Sequence, residues 1–365
     1  MIKVIDLFSG AGGFSLGFNE EYFEITKAVE FDKTIAETYR NNHKNTYLYN
    51  CDISEVDNLE CFKEKEADII IGGPPCQGFS MAGSRIRKGF LEDERNYLFK
   101  HYFNIVRIVK PKIFIMENVK GMKSMEGGKI FEEIIRLFKD KNNFNGDEYN
   151  IYHKVVNSQD FGIPQKRERL IIIGVKNGKT NIENIWNQIY LKHKYSDYKP
   201  TIWDAIGDLC SPTENGEINL NKKLQSDYAR ALSRDSNITY NHNKSNHSKK
   251  TLERIKQIKV NENYTILKEE IKSIHSGSYG RMSKDGVSVT ITTRFDTPSG
   301  GKFIHPTEDR TITPREAARI QSFPDNFRFY GSRSSVCKQI GNAVPPKLSH
   351  FLSLLSRRII EIENI

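Results

Sequence analysis

No apolar run in the chain approaches the roughly 18 residues that a membrane-spanning helix needs, so a membrane protein of that kind is excluded. Cysteine is scarce: Cys51, Cys61, Cys76, Cys210 and Cys337 are odd in number and include no Cys-x-x-Cys pair. That pattern argues against a disulfide framework and against a structural zinc site, so reduced thiols and no metal are expected. Internal repeats and long low-complexity tracts are missing as well. At the amino terminus, Met1 to Asp6 reads as a strand at once, leaving no room for a charged segment followed by an apolar signal core, and a cytoplasmic protein is expected. A complete dinucleotide fingerprint is also lacking. Counting Gly-x-Gly-x-x-Gly from Gly10 puts Ser15 in the last place, which disfavours a nicotinamide site and leaves a smaller nucleoside-bearing ligand as the stronger reading.

What is present is a basic chain of 365 residues, long enough for two domains or for one large domain with an insertion. Its net charge of +9 is unevenly placed. Residues 1–100 hold 12 Lys and Arg against 17 Asp and Glu, whereas residues 101–365 hold 43 against 29. The basic excess therefore lies outside the first hundred residues and points to a polyanionic partner.

Strand and helix alternate through the first half. Strands are expected at 3–7, 25–29, 67–71, 112–116, 151–156 and 170–175, with helices from about Phe14 and Lys33 and over 97–109 and 129–138. This βαβ order predicts an α/β fold with a doubly wound, mostly parallel sheet. After Lys176 the rhythm fails and the sequence turns polar, with turn signals at Asn177-Gly178, Ser211-Pro212 and Asn215-Gly216. A different, irregular domain follows. Within it, 248–260 reads as an amphipathic basic helix with Leu252, Ile255 and Ile258 on one side. Thr313-Pro314-Arg315-Glu316 opens another helix with cap, proline and reciprocal acid in place. A last helix over 346–362, apolar at Leu348, Phe351, Leu352, Leu355 and Ile359, is expected to pack back on the first domain.

The chemistry sits at strand ends. Gly72-Gly73-Pro74-Pro75-Cys76-Gln77-Gly78-Phe79-Ser80 sets one thiol in a stiff turn after an apolar strand, where open α/β sheets hold ligands. Asp6-Leu7-Phe8-Ser9-Gly10-Ala11-Gly12-Gly13 is a strand and glycine turn that lets a ligand approach the backbone. Glu30, ending the second strand, can accept from both ribose hydroxyls, and Asp52, after a short third strand, from an adenine amine. Glu117-Asn118-Val119 follows another strand, and Gln165-Lys166-Arg167-Glu168-Arg169 precedes one.

These segments, with Asp93-Glu94-Arg95-Asn96-Tyr97-Leu98, Arg315 to Pro324 and Gln339 to Pro346 in the same order, resemble the cytosine-C5 DNA methyltransferases of restriction-modification systems. The resemblance implies S-adenosylmethionine as cofactor, S-adenosylhomocysteine as product, and no metal. It implies that Phe8, Gly10, Gly12, Glu30, Phe31, Asp52, Ile53, Pro75, Leu98 and Asn342 hold that cofactor. It implies a catalytic and cofactor domain of 1–190 with 330–365 and a target-recognition domain of 191–329. Tyr279-Gly280-Arg281 and Thr290 to Arg294 resemble the edge of that second domain next to the extruded base. The partners it implies are duplex DNA and a companion restriction endonuclease acting on the same site, with the methyltransferase itself a monomer in a bacterial or phage-encoded setting.

The expected mechanism follows from the base. Cytosine C5 is a poor nucleophile until a thiolate adds at C6, and Cys76 is the candidate. Arg167 and Arg169 can raise its thiolate fraction while bonding the base carbonyl. As electrons enter the ring, N3 needs a proton, and Glu117 fits that acid role. A stacked base is out of reach of a thiol and must leave the helix; Gln77, Ser80, Arg85, Arg281, Thr290 and Thr292 are the candidate DNA contacts. Three rival readings stand beside this one: a tRNA-cytosine methyltransferase, a silent DNA-binding module and, last, a nicotinamide-dependent oxidoreductase.

Overall fold

The structure, a computed structural model, describes residues 1–18, 21–75, 97–193, 197, 199–268, 271 and 276–364. In chain order the strands are β1 (Ile2–Leu7), β2 (Phe23–Val29), β3 (Tyr47–Tyr49), β4 (Ile69–Gly72), β5 (Ile113–Val119), β6 (Tyr149–Asn157), β7 (Gln165–Lys166), β8 (Glu168–Lys176), β9 (Ile218–Asn219), β10 (Ile238–Thr239) and β11 (Ser288–Val289). The α-helices are α1 (Gly13–Gly17), α2 (Lys33–Asn42), α3 (Tyr97–Val109), α4 (Lys129–Lys139), α5 (Ile182–Lys192), α6 (Ile202–Ile206), α7 (Asp227–Leu232), α8 (Lys249–Gln257), α9 (Pro314–Ile320), α10 (Arg333–Asn342) and α11 (Pro346–Glu363). They group into two compact units: Met1–Asn157, Glu168–Lys194 and Leu348–Ile365 form the first, Ser158–Arg167 and Tyr195–Lys347 the second. Residues 330–347 thus fall with the second unit, where the sequence reading has them with the first.

The first unit holds a seven-stranded sheet in the order β3-β2-β1-β4-β5-β8-β6. β1 to β5 run parallel; β8 is antiparallel to β5, and β6 to β8. This is the α/β, mostly parallel sheet expected, and its strand order reverses direction between β1 and β4, the point where such sheets take ligands. The short runs of Ile in β4, β5 and β8 are buried on both faces, as central strands between two helical layers require. On one face Ile70, Phe114 and Ile172 meet α3 and α4, with the Phe114 and Phe138 rings stacked at 4.1 Å. On the other, Trp186 of α5 lies against Tyr152 of β6 and Phe351 of α11. The end of the chain closes on its start as expected: Ser349 of α11 donates its hydroxyl to the Phe14 carbonyl of α1.

The second unit has little regular structure, two short strand pairs, β10 with β9 and β11 with β7, and short helices. Buried arginines organise it. Arg310 forks onto both oxygens of Glu316 at 2.8 Å, and Glu316 also accepts from Thr313 N, completing the capping box at the start of α9. Arg319 pairs with Asp325 at 2.8 Å through two N–H groups. Among the described residues no helix is long and apolar enough to cross a membrane.

Candidate active site

Parallel strands bring β1, β2 and β3 to one edge, and the cofactor candidates of the first unit gather there. Beyond β1 the chain turns through positive φ at Phe8 (59°), Gly10 (55°) and Gly12 (96°). A Cβ on Gly12 would lie 2.1 Å from His43 Nε2, in a backbone region that side chains avoid. Gly12→Ala is therefore expected to lower the melting temperature by several degrees, and unchanged melting would show that the turn relaxes. At Gly10 nothing lies within 4 Å of the Cβ position, so this stretch of backbone is open to a ligand.

Gly10 N donates to Glu30 Oε2 at 2.9 Å, and Asp32 N donates to Oε1 at 2.8 Å. Those two donors set the carboxylate in place, and each oxygen has a second lone pair for a hydroxyl donor. Phe31, next in sequence, is 70% exposed, an unusual state for a large apolar ring. Asp52 caps the short turn Ile53–Glu55 through Ser54 N at 2.9 Å, and that backbone hydrogen bond holds its carboxyl below the ordinary range. Ile53 is buried and Leu98 packs partly buried on the core beside it. An open glycine turn, two oriented carboxylates and an exposed aromatic ring suit a nucleoside: diol to Glu30, amine to Asp52, base face to Phe31.

Under this turn lies a group that sequence reading missed. Asp6 is buried in β1; its Oδ2 accepts from Ser15 Oγ at 2.6 Å, and Ser15 Oγ lies 2.8 Å from Tyr39 Oη. Asp6 Oδ1 has no hydrogen-bond partner among the described residues, and burial pushes the carboxyl up to about 7. The signal was an acid within the apolar run Val4 to Leu7 of a strand. Ser15, read only as a missing glycine, has a use for its hydroxyl.

The catalytic candidates of the first unit meet at the same sheet edge for a topological reason. β8 is antiparallel to β5, so the start of β8 lies beside the end of β5, with Val119 opposite Arg169. Arg169 Nε reaches to 2.9 Å from Glu117 Oε1. The approach is within ion-pair range but outside hydrogen-bond alignment, and Oε1 is buried without a hydrogen-bond donor among the described residues. Asn118 Nδ2 donates to Pro74 O at 2.9 Å, tying β5 to the loop after β4. The Cβ position of Gly73 is 3.5 Å from Glu117 Oε2, so this loop passes directly over the carboxylate. Pro75 is exposed and ends the described part of the loop; Cys76, Gln77, Ser80 and Arg85 lie outside the described residues.

A family model for C-5 cytosine-specific DNA methylases matches residues 2–354. The chain belongs to that family. Among its relatives, Type II methyltransferase M1.HphI of Haemophilus parahaemolyticus is 34% identical over 357 residues, covering 96% of this chain and 86% of the relative. Type II methyltransferase M.FnuDI of Fusobacterium nucleatum is also 34% identical, with 99% and 94% covered. A crystal structure of a putative DNA modification methyltransferase encoded within an E. coli prophage superposes with a TM-score of 0.75 at 27% identity, over 99% of this chain and all of that one. The S. pombe Dnmt2 methyltransferase shares the fold, with a TM-score of 0.63 at 17% identity over the full length of both chains. The protein is a DNA (cytosine-5-)-methyltransferase of the restriction-modification type.

The remaining predicted residues of this methylase lie in the second unit. Arg167, two residues before Arg169, is buried there, donating to the carbonyls of Ile291 at 3.3 Å, Gly341 at 3.0 Å and Ala343 at 3.1 Å. Asn342, which ends α10, is exposed. Arg281, expected at the DNA, is instead buried: it donates to the carbonyls of Ile258, Ile255, His305 and Glu308 and to Asp309 Oδ1. Those bonds occupy its donors and cap the end of α8, which stops at Gln257 rather than running to 260. Thr290 is half-buried, its hydroxyl donating to Lys166 O at 2.8 Å, whereas Thr292 is exposed. Among the described residues no cluster of His, Cys, Asp and Glu could hold a metal ion.

Proposed function

We propose that this methylase transfers a methyl group from S-adenosylmethionine to C5 of a cytosine extruded from a specific duplex DNA sequence, through a transient bond between Cys76 and C6. The observation that supports this reading is the Glu117 carboxylate: buried, ion-paired to Arg169, lacking a donor at Oε1, and lying under the loop that leads into Cys76. An incoming ring nitrogen can provide the partner that Oε1 lacks. The cofactor would be held by Phe8, Gly10, Gly12, Glu30, Phe31, Asp52, Ile53, Pro75 and Leu98, with Asn342 as the family resemblance implies. When bound, it supplies an electrophilic methyl on a sulfonium. The Cys76 thiolate would add to C6 as Glu117, protonated when the base enters, gives N3 a proton, and Arg169 would donate to the base carbonyl while its charge favours the thiolate. Once C5 carries the methyl group, a water takes the C5 proton, the Cys76–C6 bond breaks with its electron pair returning to sulfur, and N3 gives its proton back to Glu117. Arg167 orders backbone carbonyls of its own unit.

Extrusion costs a few kcal/mol of unstacking, which Gln77, Ser80, Arg85, Thr290 and Thr292 offset by contacts to the strand. The second unit is then the target-recognition part, and its basic surface makes binding fall steeply with salt. The enzyme works as a monomer in the cytoplasm, beside a restriction endonuclease that cuts the same site. Duplex DNA carrying 5-fluorocytosine in place of the target base tests the route. With the methyl donor present it should trap a denaturation-stable adduct mapping to Cys76; no adduct from a preparation that methylates ordinary DNA overturns the covalent step.

A further inference from the structure

α3 carries Tyr97, His101 and Asn104 at i, i+4 and i+7, spacing that places them on one face of the helix. Two of them converge on one carboxylate in the loop after Ile53–Glu55. His101 Nδ1 lies 2.5 Å from Asp57 Oδ2, and Asn104 Nδ2 donates to the same oxygen at 3.2 Å. Because Asp57 accepts, His101 Nδ1 carries the hydrogen. The imidazole is buried, and its Nε2 has no hydrogen-bond partner among the described residues. Its ring meets Tyr97 at an angle of 76°, centroids 4.5 Å apart. Tyr97 is 43% exposed, so without that edge contact little would fix its ring. Asp52, the cap of Ile53–Glu55, begins the segment in which Asp57 stands. That segment is thus pinned at Asp57 to the face of α3 that His101 and Asn104 share. No sequence motif assigns Asp57 or His101 a role.

We infer that Asp57 and His101 are positioning residues for adenine recognition. The pair docks α3 on the loop that Asp52 begins, and so fixes the course of the backbone that carries the Asp52 carboxylate toward an exocyclic amine. The inference rests on the reading of Asp52 as the adenine acceptor of the cofactor site. Its consequence is selectivity: loosening the brace costs recognition of the amino group more than it costs affinity for the rest of the ligand.

Calorimetric titration of the full-length protein with S-adenosylhomocysteine and with its deaminated inosine analogue separates the two levels. Asp52→Asn keeps the cap on Ser54 but can turn a donor toward the base. It should weaken S-adenosylhomocysteine about tenfold and spare the analogue, the loss of roughly one hydrogen bond. His101→Ala should weaken S-adenosylhomocysteine several-fold, with a smaller loss for the analogue, and add less than about twofold on the Asp52→Asn background, since contacts acting through one group are not additive. His101→Asn retains an N–H for Asp57 and should recover most of the loss. If Asp52→Asn discriminates between the ligands while His101→Ala binds like wild type, or loses both ligands equally and additively, or is not improved on by His101→Asn, the positioning role is overturned and the Asp52 reading stands. If Asp52→Asn binds S-adenosylhomocysteine like wild type, the adenine reading falls and the positioning inference falls with it.

Discussion

Cys76→Ala is expected to reduce methyl transfer to DNA by at least about 10⁴-fold, the scale of loss when a covalent nucleophile is removed, while S-adenosylhomocysteine binds within a few fold of wild type. The two readouts separate because the proposed cofactor residues, Pro75 apart, belong to segments distant in sequence from Cys76, with Glu30 after β2, Asp52 after β3 and Leu98 in α3. Alanine removes only the sulfur, and the stiff Gly-Gly-Pro-Pro approach stays. A labelled-methyl assay under single-turnover conditions, paired with calorimetry, checks both. Full turnover by the alanine variant would rule out thiolate addition and leave direct transfer to an unactivated ring, which C5 chemistry makes slow.

Glu117→Gln should lose roughly 10²- to 10⁴-fold in the single-turnover rate, the range for removal of a general acid, with DNA affinity largely kept. Glutamine preserves the shape beneath Gly73 and the neighbouring bond from Asn118 to Pro74, so the loop toward Cys76 should keep its course. What it cannot keep is the charge opposite Arg169. Breaking a partly buried ion pair leaves an uncompensated guanidinium, so a drop in melting temperature should accompany the loss of rate. Equal single-turnover rates for variant and wild type would remove Glu117 from the chemistry and leave it a structural partner of Arg169.

Much of the first unit was legible because its rules are local. Alternation of short apolar runs with amphipathic segments placed the strands, and in the second unit the equally local Thr313 to Glu316 pattern placed the cap of α9. The helix over 97–109 and the last helix could be read the same way. The two antiparallel strands could not, since an apolar run of that length reads alike in either direction. Their direction matters: a parallel β8 would have put Arg169 at the far edge of the sheet from Glu117. Asp6 escaped notice because its burial depends on Ser15 and Tyr39 folding over it.

The arginines show the limit most plainly. Arg167 and Arg169 stand two residues apart in one motif, yet one donates to three carbonyls of the second unit and the other pairs with Glu117 in the first. Arg281, a candidate DNA contact by family resemblance, instead donates to the carbonyls of Ile255 and Ile258 at the end of α8. From sequence alone came the order of the elements, the chemical types at the strand ends and the family to which they point. These depend on periodicity and on side-chain chemistry, which neighbouring residues carry. Which acceptor each long cationic side chain meets was decided only by the tertiary structure, because the carbonyls that hold Arg167 come from residues more than a hundred positions away.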